Sequence, residues 1–329
     1  MPRGASLAAV AESLEVHGVV ETAWQFRVYG RLTGLARHVL PGRYEFRLGE
    51  PWARIRDALR TGRTDDIRFT VPEGLTVRQI AELAADTLRL ARDSVRGAVR
   101  DSFLAAARDP AVRAEFGIAP PPGLREPLEG YLLPETYLIQ YDATPRDVVR
   151  QMLRQFSAAW DSTADRRAAA LGLSRHQVVT LASIVEGEAR IGSERQRIAG
   201  VYLNRIRRRM LLQADPTVIY ALELDKRPTR VLYRHLEVRS PYNTYRHPGL
   251  PPGPIGNPGR ATVAATLDPE RHAYLFFVAR PDGHHMFSRT GSQHADSVAV
   301  ARVLRAEFEA QRDSIERAAR DSAAAAVRP

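Results

Sequence analysis

From Gln213 to Arg260 the chain carries no steady period that a helix or strand could use, and seven prolines and glycines fall between Pro248 and Gly256 alone. Proline removes a backbone donor and glycine loosens the backbone, so neither a long helix nor a central strand can run through such a stretch. Loops of this length inside a folded chain are usually functional. The regular elements on either side must therefore supply a frame that holds it.

Those elements are legible. Ser174 and Gln177 form a capping box that opens a helix through Val178, Leu181, Ile184 and Val185, and Ser193 with Gln196 predicts a second one through Ile198, Val201, Tyr202 and Arg205. Beyond the loop, Tyr274–Arg280 and His285–Arg289 flank Pro-Asp-Gly-His, a hairpin signal. A last helix is expected from Ser292 to about Arg320, ending in an Ala-rich tail.

Upstream, two segments share a strand–turn–helix plan. In Gly42–Thr61, Tyr44 and Phe46 alternate as a half-buried strand would, before Trp52, Ile55, Ala58 and Leu59 at helical spacing. In Ile67–Leu88, Phe69 and Val71 alternate and Gly74 turns the chain. Thr76 and Gln79 then cap a helix carrying Ile80, Leu83 and Ala84. A helix over Ala5–Val20 stops at Gly18, residues 89–125 read as a helical pair ending in Pro120–Pro122, and one helix is expected from Pro145 to about Ala170 with Thr144 as its N-cap. Runs of helices interrupted by short strands give an α+β class with long Pro/Gly-rich loops, and 329 residues favour two domains over one.

The formal charge of +10 is almost wholly arginine, since Lys226 is the only lysine. Such a balance favours anionic partners: nucleic acid, an acidic membrane surface or an anionic polymer such as cell wall. No Walker loop, dinucleotide fingerprint or serine elbow is present. The absence of cysteine excludes disulfides, thiolate metal sites and cysteine nucleophiles. No apolar run reaches the ~20 residues of a membrane-spanning helix, and Arg, Glu and His break the first twenty residues too often for a signal-peptide core.

The candidate chemistry centres on Ala182–Ala189, Ala-Ser-Ile-Val-Glu-Gly-Glu-Ala. On a helix Glu188 continues the stripe of Leu181, Ile184 and Val185, whereas Glu186 is rotated about 200° away. A carboxyl on a buried face near a helix C-terminus is pushed up in pKa by desolvation and by the helix dipole, toward what a general acid needs. The alternative is a buried Glu188 paired for packing with Arg190, Arg195 or Arg205. The loop supplies Gln213, Asp215, Thr217, Tyr220, Asn243, Thr244, Tyr245 and Asn257, the amide, hydroxyl and aromatic groups that sugar recognition uses; the alternative is a surface loop stapled by turns. His284, His285 and His294 lack the spacing of a metal site, so no metal and no cofactor is expected.

The strings ASIVEGEA, SERQRIAGVYLNRIRRRMLLQADPTVIYAL, SPYNTYRHPGLPPGPIGNPG and the YLFFVAR, HHMFS and His294 series resemble, in that order, the YceG-like endolytic murein transglycosylases (the MltG family). Phe69–Ala84 looks like the LysM-like subdomain of that family. The resemblance implies an N-terminal membrane-proximal α/β segment at 1–66, a LysM-like subdomain with linker helices at 67–125, a mixed helix/sheet catalytic domain at 126–310, and a helix end with tail at 311–329. It implies cleavage within peptidoglycan glycan strands, between N-acetylmuramic acid and N-acetylglucosamine, leaving 1,6-anhydromuramoyl ends. The second Glu of the family's E-x-E motif is catalytic and falls on Glu188. The loop residues named above match its cleft motifs; Glu186, His285 and His294 are secondary candidates.

The resemblance further implies association with glycan-polymerising synthases (penicillin-binding proteins), no nucleic acid, and a place on the outer, periplasmic face of the cytoplasmic membrane. The family's N-terminal anchor is not visible, and the sequence is expected to open in the region that follows it. Gly187 stands where the family usually has a basic residue. A non-catalytic wall-binding scaffold of the same fold stays open, as does a hydrolase in which Asp215 or Glu194 positions a water.

Overall fold

The computed structural model describes residues 1, 4–40, 42, 44–62, 67–92, 95–140, 143–222 and 231–326. Residues 223–230 of the Pro/Gly/Asn-rich stretch expected at 213–260 lie outside these. The helices are α1 (Leu7–Val16), α2 (Ala23–Leu32), α3 (Trp52–Thr61), α4 (Val77–Arg92), α5 (Arg96–Arg108) and α6 (Pro110–Ala114), followed by α7 (Pro145–Ala159), α8 (Ser162–Leu171), α9 (Arg175–Glu188) and α10 (Arg195–Arg207), then α11 (Asp215–Ala221), α12 (Arg260–Leu267) and α13 (Gly291–Ala326). Among the described residues four short strands pair as two antiparallel ribbons: β1 (Ile67–Thr70) with β2 (Thr136–Ile139), and β3 (Phe276–Ala279) with β4 (His285–Ser288). The α+β class holds.

The chain forms two compact units that interleave along the sequence: residues 1–72, 78–113 and 135–152 in the first, 73–77, 114–134 and 153–329 in the second. In the first unit, Leu7, Val10 and Leu14 of α1 meet Phe26 of α2 and Ile55 and Leu59 of α3 in one buried cluster. Trp52 closes it with its ring edge-on to Phe26 at 5.8 Å. The predicted strand around Tyr44 and Phe46 does not form. Their rings stack on one another at 5.9 Å, and the Tyr44 hydroxyl donates to the Leu40 carbonyl at 2.6 Å. Alternation is present, but no strand among the described residues meets it. Phe69 sits opposite Tyr137 across the β1–β2 ribbon.

The second unit is built around α9. Every residue from Val178 to Val185 is buried, so this helix is enclosed all round rather than amphipathic. The apolar stripe that selected Glu188 is therefore one side of a fully covered helix, packed by α8, α10, α11 and α12. The Ser174–Gln177 capping box forms as expected, with both reciprocal hydrogen bonds present.

Two helix boundaries differ from the sequence reading. The expected 145–170 helix breaks at Trp160 and Asp161, because the Asp161 carboxylate accepts from the Ala164 N–H at 2.8 Å and starts α8 as its N-cap. The Ser193–Gln196 box does not form: Ser193 lies in the 3₁₀ turn Gly192–Glu194, and the Gln196 amide donates instead to the Asp268 carbonyl at 2.8 Å. The predicted hairpin is β3–β4, with Phe277 opposite Phe287. Among the described residues no single helix is long and apolar enough to cross a membrane.

Candidate active site

Glu188 is the last residue of α9, where the helix's unpaired carbonyls point. The residue is partly exposed, yet its carboxyl is ringed closely enough that burial pushes its pKa up to about 7. A hydrogen bond from the Tyr202 hydroxyl, 2.8 Å away, works in the opposite direction by favouring the ionised form. The charge of Asp215 raises it again and that of Arg205 lowers it. Both protonation states of Glu188 are thus accessible near neutral pH, the condition for one group to give and then take a proton.

Arg205, one of the arginines that packing alone would pair with Glu188, is engaged elsewhere. The buried guanidinium of Arg205 donates to the carbonyls of Leu275 (2.6 Å), Leu212 (2.7 Å) and Leu211 (3.2 Å) and to the Gln213 side-chain oxygen (3.4 Å). No arginine among the described residues forms an ion pair with Glu188; its hydrogen bond is to a phenol. Tyr202 is almost fully buried, edge-on to Phe277 at 5.8 Å, and its own pKa is held well above the ordinary phenol value by burial, so it stays a donor.

Across from Glu188, α11 begins at Asp215, whose carboxylate accepts from the Tyr245 hydroxyl at 2.6 Å. The approach of α11 to α9 depends on Gly187: a Cβ there would lie 2.7 Å from the Pro216 side chain. Just before α11, Gln213 is exposed and holds a left-handed φ of 51°, unusual for a residue with a side chain. Such strain clusters at functional sites and costs on the order of 1–3 kcal/mol. Gln213, Asp215 and Tyr245 are the loop candidates that keep access to solvent beside Glu188.

Four other loop candidates are buried and bond inside the protein. Thr217 and Thr244 are buried and share a hydroxyl contact at 2.9 Å. Thr217 also donates to the Ala214 carbonyl, and Thr244 accepts the Ala214 N–H. Asn243 donates to the carbonyls of Leu236 and Val238. Asn257 accepts the Leu132 N–H at 2.9 Å and donates to Leu75. With their polar atoms committed inside the protein, these four shape the loops on which the exposed residues stand. Tyr220 lies at the far end of α11 and donates to Glu129 at 3.3 Å.

Glu186 and Glu188 part company as the helix geometry requires. Glu186 accepts the Gly259 N–H at 3.0 Å and faces Arg195 at 3.7 Å, so it anchors the end of the proline-rich loop. His285 is held by Glu194, Nδ1 to carboxylate at 2.7 Å, under the edge of Phe277; His294 stacks on Phe276 at 5.2 Å. Burial raises the Glu194 pKa but the hydrogen bonds from His285 outweigh it, and the net shift is downward. Glu194 is therefore an ionised brace for β4 rather than a group poised over water. Among the described residues no three His, Cys, Asp or Glu side chains gather as a metal would need.

Three comparisons bear on this arrangement. Residues 1–300 match the model of the YceG-like family. The chain belongs to the YceG-like family. A Bacillus subtilis relative named "Endolytic murein transglycosylase" is 34% identical over 301 residues, covering 89% of this chain and 81% of its own. A Streptococcus pneumoniae relative of the same name is 27% identical and covers 91% of this chain, which spans 57% of that protein's length. A crystal structure of a YceG-like protein from Listeria monocytogenes superposes with a TM-score of 0.63 at 30% identity, covering 90% of this chain and 96% of that one.

Sequence reasoning on this YceG-like chain missed three side chains: Tyr202, Arg205 as a carbonyl clamp, and Glu129. Tyr202 and Arg205 had been placed on the apolar stripe of α10, and a phenol or guanidinium inside such a stripe must find polar partners. That requirement was the available signal. A cavity of about 840 Å³ lies toward the other end of α9, walled by Pro120, Tyr131, His176 and Pro251, and Glu188 does not line it.

Proposed function

We propose that this protein is a peptidoglycan lytic transglycosylase that cuts within glycan strands, between N-acetylmuramic acid and N-acetylglucosamine, with Glu188 as acid and then base. The relatives' shared name supports the reaction class. One observation carries the mechanism: a partly exposed carboxyl at the end of α9, pKa about 7, hydrogen-bonded to a phenol rather than clamped by arginine.

In the proposed reaction Glu188 donates its proton to the glycosidic oxygen as the bond from the anomeric carbon to that oxygen breaks. The C6 hydroxyl of the same muramoyl residue attacks the anomeric carbon, and its proton passes to the Glu188 carboxylate. The acid is regenerated, no water is consumed, and a 1,6-anhydro ring remains. Positive charge develops at the anomeric centre, where the Asp215 carboxylate and the Gln213 and Tyr245 dipoles provide preorganised stabilisation. Work on nascent strands beside a glycan-polymerising synthase, at the outer face of the cytoplasmic membrane, belongs to this reading.

A second reading has a specific observation behind it. Asp215 is exposed and close enough to raise the Glu188 pKa, and two carboxylates about one bond are the equipment of an ordinary glycoside hydrolase. Mass spectrometry of purified glycan strands separates the two. Wild type is expected to release anhydro-ended fragments, and Glu188→Gln to be slower by roughly 10²–10⁴-fold. Fragments heavier by one water would transfer the case to the hydrolase; full activity of Glu188→Gln would end both.

A further inference from the structure

Glu129 is a buried acid for which the cleavage steps have no use. It is 3% exposed, and burial pushes its pKa up to about 8. Its Oε1 accepts the Val77 N–H at 2.9 Å and the Asn257 amide at 3.1 Å, and its Oε2 accepts the Tyr220 hydroxyl at 3.3 Å. Glu126 and Tyr242 add charge interactions from their own segments. Burying a carboxyl costs several kcal/mol unless its contacts offset it, so the role of these three contacts is informative.

They lead to Glu188 by two routes. Tyr220 lies five residues along α11 from Asp215, roughly 7.5 Å of helix. The same short helix carries Pro216 against Gly187 and Asp215 against Tyr245. By the other route, Asn257 is two residues before Gly259, whose N–H is bound by Glu186, two residues before Glu188. A single carboxyl thus grips the far end of α11 and the end of the proline-rich loop, the two pieces that bracket the terminal turn of α9.

We propose that Glu129 is a positioning residue for the cleavage reaction, holding α11 and the 257–259 loop so that Asp215 and the end of α9 keep their spacing about Glu188. A carboxyl suits the task because all three partners can donate, and its two oxygens have lone pairs for all of them with the proton still in place. The proposal rests on the reading of Glu188 as the proton carrier.

The test uses the full chain on purified glycan strands, with kcat and KM measured across pH for wild type, Glu129→Gln, Tyr220→Phe and the double variant. Glutamine keeps the volume and one acceptor, so the variants are expected to remain folded by circular dichroism. We expect kcat to fall about tenfold to a hundredfold with KM little changed, as small misplacements do. The basic limb, which reports Glu188 losing its proton, should move to lower pH as the Asp215 charge is held less closely; Tyr202 and Arg205, the other groups acting on Glu188, are untouched. The double variant should lose no more than the worse single one, because both act through one link. Wild-type kcat with an unmoved basic limb in folded Glu129→Gln would overturn the proposal, as would a loss that only tracks the unfolded fraction. A wild type that releases no fragments would overturn the cleavage reading itself, and the positioning role with it.

Discussion

The two units differ in where they bury polar groups. Every buried polar residue among the described ones lies in the second unit, Glu129, Glu194, Arg205, Asn243 and Asn257 among them. The first unit's departures are apolar and outside: on α2, Trp24 is 62% exposed and Leu32 83%, with Val28 on the same ridge. A buried polar group costs stability unless its partners are in place, whereas an exposed leucine costs little. Polar groups sunk into the second unit therefore mark where geometry is fixed by directional bonds, and Glu188 stands among them.

The largest effect should come from Arg205. Its guanidinium bridges three carbonyls from two separate segments and lies over the Phe276 ring at 5.1 Å. Arg205→Ala removes every donor at once and leaves buried carbonyls unpaired, for an expected loss of about 3–5 kcal/mol in urea unfolding. A loss under about 1 kcal/mol would mean that the polar scaffolding of the second unit is not what holds it.

The parts that sequence displayed and the parts it hid follow the same division. Helices α9 and α10, the β3–β4 hairpin and the position of Glu188 were legible because they depend on local spacing and turn chemistry, though the capping box expected to open α10 does not form. The β1–β2 pairing was not, because Thr70 and Thr136 are brought together from 66 residues apart and nothing local encodes that partner. Among loop residues, composition marked Thr217, Asn243, Thr244 and Asn257 as candidate polar groups but could not tell a side chain open to solvent from one sewn into the protein. Only the partners of each atom decide that. The departure at Gly187, where the family usually has a basic residue, has a geometric consequence that spacing did not show, the close seat of Pro216.

A middle-sized effect separates the buried acids from the rest. Both Glu129 (about 8) and Glu188 (about 7) lie above the ordinary glutamate value of 4.5 in the folded chain. For a raised pKa the folded state holds the proton longer than the unfolded state does. The stability from that proton is fully present below pH 4.5 and is lost as pH rises through about 7 and 8. Wild type should lose stability over that window relative to Glu129→Gln, by on the order of a few kcal/mol at most. Unfolding curves from pH 5 to 8.5 measure the difference, and parallel curves for the two proteins would show that the three donors around Glu129 keep it ionised throughout.

The smallest effect belongs to the ridge on α2. Buried Phe26 turns inward from this helix while Trp24, Val28 and Leu32 turn outward. If the ridge faces only water, Leu32→Gln exchanges one good helix former for another and removes no packing, so the change should stay within about 0.5 kcal/mol. Trp24→Gln should do the same. A loss above about 1 kcal/mol would mean the ridge is covered in solution. In that case the melting temperature of wild type would rise with protein concentration and that of the variant would not, since only an associating surface gains stability by mass action. The contrast between the units would then hold for buried polar groups alone.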